Sequence, residues 1–369
     1  MDYSNTGGIL QSGGGAAELR DIKASGNERK WKEQKRMSVL LAESYTRLIN
    51  SGVAEYISKS KGHRVHECAS YLEFKRYLET GVLKLHSANL CRARLCPVCA
   101  SRRSTKVFGQ VSKIMDCLEK RGSRAFLFIT LTVRNVPGEG LPGELDKLFY
   151  GFDRLAKSKE IRHASLGWFR ALEITKNWEK NTYHPHFHVV FAVEPGYFKE
   201  RSYITKTRLW ELWRRCMGLG YDPSVCILKV KPEKVQRGNA SGHSGEGDIT
   251  YAGAVSEISK YSVKAADYLA PAKIGGGKKK RERMTDETVM HLDLAMAGRR
   301  LLGFGGEFRK LHKELNLRDP EGGDLVNLDG DEELRDDLAY VIEAYQWDYG
   351  AGNYFKAPVK PEVGKGGRA

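Results

Sequence analysis

The stretch "HPHFHVVFAV", residues 184 to 193, decides the fold. Successive side chains of a β-strand point to opposite faces. An extended run here sets Phe187, Val189, Phe191 and Val193 on one face, which predicts a core surface, and His186 and His188 side by side on the other. The run "WFRALEIT" (168–175) precedes it by a hairpin-length polar connection, so the two strands should pair antiparallel with Glu173 across from His186 and His188. Two imidazoles and a carboxylate suit a divalent cation with positions left open for a substrate. The competing reading is a merely polar sheet face. His184 stands beside Pro185 at the strand start and is a weaker ligand, better placed to meet the substrate.

Outward from this hairpin, "FLFITLTV" (126–133) and "SVCILKVK" (224–231) read as strands. "ELDKLFYGFDRLAKS" (144–158) carries Leu145, Leu148, Phe149, Phe152 and Leu155 on one helical face, and "TKTRLWELWRRCM" (205–217) carries Leu209, Trp210, Trp213 and Met217. The order is β-α-β-β-α-β. This split βαβ pattern predicts an α+β fold, an antiparallel sheet with its helices on one face. Before it, "VFGQVSKIMDCLEKRG" predicts a helix ending at Gly122. Four regions follow: a flexible arm over 1–55 with one short helical pattern near "MSVLLAESYTRLI", a cysteine-rich element over 56–104, the core over 105–275, and a helical extension over 276–369 with an acidic stretch and a basic tail. The Gly/Ser-rich insert "QRGNASGHSGEGD" (236–248) reads as a surface loop.

Sixty-one Lys and Arg against 46 Asp and Glu leave a net charge of +15 over 369 residues, which favours a polyanionic partner. No apolar run reaches the roughly 18–20 residues of a membrane span, and the first twenty residues lack the basic start and apolar centre of a signal peptide. A cytoplasmic polyanion binder with no membrane partner is the expectation. Seven cysteines, four of them between 68 and 99, point to metal rather than to a disulfide framework. Cys91, Cys96 and Cys99 stand at C-x4-C-x2-C with Cys68 upstream, the spacing of a structural tetrahedral zinc site. Buried free thiols and a Cys96/Cys99 redox pair are the alternatives, and His66 or His86 could replace Cys68. Arg92, Arg94, Arg102 and Arg103 crowd this element and are expected to bind DNA phosphates or guanine edges. Cys117, Cys216 and Cys226 fall on packed elements and are expected in the core.

The segment "AGAVSEISKYSVKAADYLA" reads as a helix over about 251–270, with Glu257, Tyr261 and Lys264 at i, i+4 and i+7 on one polar face. By itself that is an ordinary solvated face. Together, "FITLTVRN", "HPHFHVVFAV" and "EISKYSVK" stand in an order and spacing that resemble the three motifs of the replication initiator proteins of rolling-circle plasmids, within the HUH endonuclease superfamily. The resemblance spans about residues 66–315. It implies a βαββαβ (ferredoxin/RRM-like) HUH core and nicking of origin DNA, double-stranded and single-stranded, with host helicase and replication machinery as partners. It also implies His186 and His188 as ligands of Mg²⁺ or Mn²⁺, Tyr261 as nucleophile, and Glu257 in place of a second tyrosine. A carboxylate there can activate water so that a second cleavage becomes hydrolysis. Lys264, one turn on, would lower the tyrosine's pKa or bind phosphate. The rivals are a conjugative relaxase or single-tyrosine transposase, and a non-catalytic zinc-dependent DNA-binding regulator.

Overall fold

A computed structural model describes residues 17–22, 26–122, 125–199, 203–231, 248–260, 262–328 and 338–359. In chain order the elements are α1 (Trp31–Ser51), α2 (Lys61–His66), β1 (Tyr71–Tyr77), β2 (Leu83–Ala88), α3 (Pro97–Lys120), β3 (Ala125–Thr132), α4 (Leu141–Lys157), α5 (Lys159–Ala164), β4 (Gly167–Asn177) and β5 (Thr182–Val193). They continue as α6 (Lys206–Met217), β6 (Val225–Lys231), β7 (Asp248–Thr250), α7 (Tyr251–Ile258), α8 (Gly277–Met296), β8 (Leu302–Gly305), α9 (Gly306–Glu314), β9 (Tyr340–Asp348) and β10 (Asn353–Ala357).

The central sheet has the order β7-β6-β3-β5-β4-β8. Its inner strands β6, β3, β5 and β4 are antiparallel neighbours, the arrangement into which a split βαβ unit folds. Thr205 caps α6 by accepting from the Arg208 N–H, and Gly218 ends that helix in the left-handed region at φ 66°. Gly151 in α4 faces Met217, where any β-carbon would collide with the methionine side chain, so the α4 and α6 backbones approach closely.

The face carrying Leu127, Ile129, Leu131, Phe187, Val189 and Phe191 packs under α4 and α6, as the alternation predicts. The other face is covered too, which differs from the expectation of helices on one side. Phe126, Phe128, Phe169, Val190 and Ala192 pack against Val111, Ile114 and Met115 of α3, Val255 and Ile258 of α7, and Phe308 and Leu311 of α9. The signal was present: "VVFAV" is apolar at every position, as strands buried on both faces are. Only the His186–His188 end of this second face is left for chemistry.

A second antiparallel sheet has the order β10-β9-β1-β2. Two expectations give way here. Residues 31–51 are not part of a flexible arm but a 21-residue helix that buries Trp31, Leu41, Tyr45 and Leu48. Residues 340–348 and 353–357, expected within a helical extension, are strands that complete the sheet on β1. Residues 1–16, the insert over 236–247, the acidic residues 329–337 and the tail from 360 lie outside the described residues, whereas Asp248 opens β7.

Because Leu41 is fully buried under this packing, Leu41→Ala should cost about 2–5 kcal/mol, read as a lower urea midpoint at unchanged slope. A cost near zero would mean that α1 does not pack.

Candidate functional site

Register brings the first cluster together. Glu173 pairs with His186 across β4 and β5, while Thr132 and Thr130 pair with His186 and His188 across β3 and β5. Glu173 Oε2 lies 2.8 Å from His188 Nε2 and 3.3 Å from His186 Nε2, and all three side chains are at most 10% exposed. The rings are held from behind: His186 Nδ1 meets the His184 carbonyl at 3.1 Å, and His188 Nδ1 meets Thr130 Oγ1 at 3.2 Å. A carbonyl only accepts, so a neutral His186 ring carries its proton on Nδ1 and leaves the Nε2 lone pair for a cation, whereas a protonated ring donates from Nε2 to the carboxylate. The Nε2 atoms of both rings and Oε2 of Glu173 converge on one point, a ligand set that suits a cation. One ligand atom from each of Glu173, His186 and His188 lies within 4.8 Å of the others, so the residues present can hold a metal ion.

Burial opposes the charge on Glu173, but hydrogen bonds with His186, His188 and Lys264 outweigh it and hold the carboxyl well below the usual carboxylate range. Lys264 Nζ sits 2.6 Å from Glu173 Oε1. Glu257 reaches the same centre from α7, with Oε1 4.0 Å from His188 Nε2, and it also pairs with Lys260.

The expected shared helical face of Glu257, Tyr261 and Lys264 does not form, because α7 ends at Ile258. Tertiary hydrogen bonds override the helical pattern: Ser104 Oγ on α3 donates to the Ser259 carbonyl, and the Ile174 N–H on β4 donates to the Ser262 carbonyl at 2.7 Å. Tyr261 lies outside the described residues, between these two anchors. Glu257 and Lys264 still reach the cluster, one from the helix and the other from the chain beyond it.

The second cluster joins Cys68, Cys91, Cys96 and Cys99, all buried. Sγ separations of 3.5 Å (Cys96–Cys68), 3.6 Å (Cys68–Cys99) and 3.7 Å (Cys91–Cys99) approach the edge of about 3.8 Å of a tetrahedron with metal–sulfur bonds of ~2.3 Å. Arg92 takes the left-handed conformation at φ 59°, turning its N–H onto Cys99 Sγ. Hydrogen bonds from Cys68, Cys96 and Cys99 push the Cys91 thiol well below the usual range, toward the thiolate that binds metal. His66 is not in this set; it bonds Glu67 and stacks on Tyr349. Of the other cysteines, Cys216 is buried, whereas Cys117 and Cys226 are only partly so.

Sequence reasoning missed Lys35, in what read as a flexible arm. Its ammonium is fully buried and donates to the carbonyls of His66 and Cys68. Thr130, which orients His188, was legible only as one of two threonines, with Thr132, on the face of the central strand opposite Leu127, Ile129 and Leu131.

The four arginines do not form the expected basic surface. Arg102 is 4% exposed and donates to the Leu325 and Val326 carbonyls. Arg103 binds the Glu321, Ala93 and Arg92 carbonyls, and Arg94 binds those of Met296 and Arg299. Arg102 and Arg103, together with Lys106 and Gln110, hold the 318–326 segment along α3. Arg92 alone of the four keeps an exposed guanidinium with no partner among the described residues. His184 is half-buried and stacks on His186, and burial lowers its pKa.

No described helix is long and apolar enough to cross a membrane. A family model described as replication protein matches residues 82–355. A Protein rep from Bacillus amyloliquefaciens is 42% identical over 343 residues, 91% of this chain and 96% of its own length. Another from Lentilactobacillus hilgardii is 34% identical over 339 residues, 91% of this chain and 98% of its own. A Replication protein from Staphylococcus aureus is 32% identical over 244 residues, 66% of this chain and 94% of its own. No solved structure matches significantly.

The ring geometry is open to direct measurement. In long-range ¹H–¹⁵N spectra of the metal-free protein at alkaline pH, His186 should appear as the Nδ1–H tautomer. An Nε2–H tautomer would contradict the lone-pair arrangement.

Proposed function

The chain belongs to the replication protein family of plasmid replication initiators, and on that premise we propose that it nicks one strand of origin DNA through an HUH core of ferredoxin-like type. The observation that carries this reading is the convergence of Glu173, His186, His188, Glu257 and Lys264 on one point of the sheet.

His186 and His188, through Nε2, and Glu173 would hold Mg²⁺ or Mn²⁺, which when bound supplies Lewis-acid polarisation of a phosphate oxygen. The Tyr261 phenol oxygen attacks phosphorus. A P–O bond to tyrosine forms as the P–O3′ bond breaks; the phenol gives its proton to solvent, and the departing oxygen takes one up to become the 3′-hydroxyl that primes synthesis. The 5′-phosphotyrosyl link conserves the phosphodiester energy for rejoining. At termination Glu257 takes a proton from a water whose oxygen attacks the phosphorus of the second scissile phosphodiester in place of a second tyrosine. The P–O bond to water forms as P–O3′ breaks, and the departing oxygen takes up a proton to become the 3′-hydroxyl that can rejoin at the phosphotyrosine. Its approach to the metal cluster favours this reading over a relaxase or single-tyrosine transposase. Lys264 acts through Glu173, keeping that carboxylate ionised and aimed, rather than on the tyrosine.

Cys68, Cys91, Cys96 and Cys99 would hold zinc as a structural site that takes no part in the steps, with Lys35 offsetting its thiolate charge. Arg92 and His184 remain the DNA contacts of the original set, while Arg94, Arg102 and Arg103 are better read as structural. The protein acts in the cytoplasm, on origin DNA, with a host helicase opening the duplex.

Three measurements test this. Wild type with Mn²⁺ and single-stranded origin oligonucleotides should give a covalent protein–DNA band that Tyr261→Phe lacks; an equal band in the variant sinks the mechanism. Glu257→Gln should form the first adduct at near wild-type rate yet lose about 10²–10⁴-fold in the second, hydrolytic cleavage. Chelation should free one zinc per chain and make four more thiols reactive, and Cys99→Ser should abolish that zinc.

A further inference from the structure

Arg94 and Tyr268 ligate nothing and touch no reacting atom in the mechanism above, yet they tie the two metal-type clusters together. We infer that both are positioning residues. They hold the two segments that line the β4 edge beside Glu173 to the loop closed by Cys91 and Cys96, so that strand cleavage depends on the metal bound by the four cysteines. This rests on the nicking reading above and adds to it a condition which that reading does not contain.

The edge of β4 is where the segments meet the site. β4 pairs with β5 along one edge and with β8 over Trp168–Ala171 along the other. Beyond β8 its amides find partners in other parts of the chain. The Leu172 N–H donates to the Leu301 carbonyl at 3.0 Å, the Ile174 N–H to the Ser262 carbonyl at 2.7 Å, and the Lys176 N–H to Asp267 Oδ1 at 3.0 Å. Glu173 stands between the first two of these bonds. Lys264, whose ammonium reaches Glu173 Oε1, belongs to the same segment as Ser262 and Asp267.

Among the described residues neither 259–268 nor 297–301 contains strand or α-helix, so tertiary bonds decide where these segments run. The Arg94 guanidinium donates to the Met296 and Arg299 carbonyls, just ahead of Leu301. Tyr268, fully buried, donates to the Leu95 carbonyl at 2.8 Å. Arg94 and Leu95 are neighbours in the C-x4-C loop between Cys91 and Cys96, so one short loop fastens both segments. Arg103 on α3 secures the Arg92 and Ala93 carbonyls of the same loop.

Both ends of that loop are cysteines of the buried set. Sulfurs 3.5–3.7 Å apart repel once ionised and stay together only around a cation. Metal at the cysteines therefore fixes Arg94 and Leu95, these fix the two segments, and the segments fix the chain that enters and leaves position 261. A misplacement of about 1 Å at a reacting group costs on the order of 10²-fold in rate. The coupling is thus expected in the rate of cleavage rather than in the affinity for DNA.

The test reads amide exchange and cleavage on the full chain. Chelation followed by excess Mn²⁺ empties the cysteine set and refills the histidine set, because thiolates favour zinc while carboxylate-bearing sites accept Mn²⁺. In that protein amide exchange at Leu172 and Ile174 should rise at least about tenfold, while Ile129 and Val189 inside the sheet keep their protection. With zinc still bound, Tyr268→Phe should raise exchange at Ile174 and Arg94→Met at Leu172. On a single strand that wild type cuts, single-turnover adduct formation should fall about 10–100-fold in all three proteins, with strand affinity within about threefold. Withdrawing zinc from the double variant should slow cleavage by no more than about threefold further, since the path it acts through is already cut. Unchanged exchange at both amides overturns the inference, as does a rate loss matched by an affinity loss or a full further loss on withdrawing zinc from the double variant. If the chain unfolds without zinc, the zinc-loaded variants decide alone, and wild-type exchange and cleavage in both overturn it. If wild type cuts no strand while the amides respond as stated, the nicking reading falls and takes the positioning role with it.

Discussion

A carboxylate whose side chain is 7% exposed lies at the middle of this protein, and much of the rest answers to it. An ionised group so deeply buried is tolerated only when donors or cations surround it. Glu173 has two imidazoles and one ammonium, and each depends on a different part of the fold. The imidazoles come from the β4–β5 register, the tilt of His188 from Thr130 on the central strand, and the ammonium from the chain beyond α7. Sliding β5 by one residue would turn the histidines into the α4–α6 core and offer Phe187 to the carboxylate. Core packing and site chemistry therefore enforce the same register.

The long helix α3 links the two metal-type clusters. It opens inside the cysteine set, with Cys96 at its N-cap and Cys99 in its first turn. Four residues past Cys99 it offers Arg103 and then Ser104, which fastens the chain two residues before position 261. Tyr268 extends the link by donating to the Leu95 carbonyl between Cys91 and Cys96. The basic residues along α3 secure backbone carbonyls of the 318–326 segment. Positive charge in the sequence was thus used for internal assembly where a DNA surface was the natural first reading.

Alternation of side chains and short connections made the inner four strands, α4, α6 and the Glu173–His186–His188 set legible from the sequence. The cysteine spacing was equally readable, because tetrahedral sites need a few ligands at fixed local separations. What was not readable depends on distant partners. The apolar stripe of α1 looked isolated until α2, α3 and α8 covered it, and the residues of β9 looked like part of a helical extension until β1 paired with them. The helical pattern past Ile258 loses to two hydrogen bonds from α3 and β4, which no local propensity encodes. Buried Lys35 gave no signal at all, since a lone lysine among charged neighbours is ordinarily solvated.

The pairing of β1 with β9 has a consequence in time. Tyr71–Tyr77 waits for Tyr340–Asp348, so the sheet beside Cys68 and Cys91 cannot close while a chain is still being synthesised. Contacts of such long sequence separation form late and slowly. A nascent chain would carry its complete histidine strand well before the cysteine-bearing sheet is finished. Ribosome-bound or prematurely terminated products would lack β9 and leave one edge of β1 unpaired beside the cysteine set.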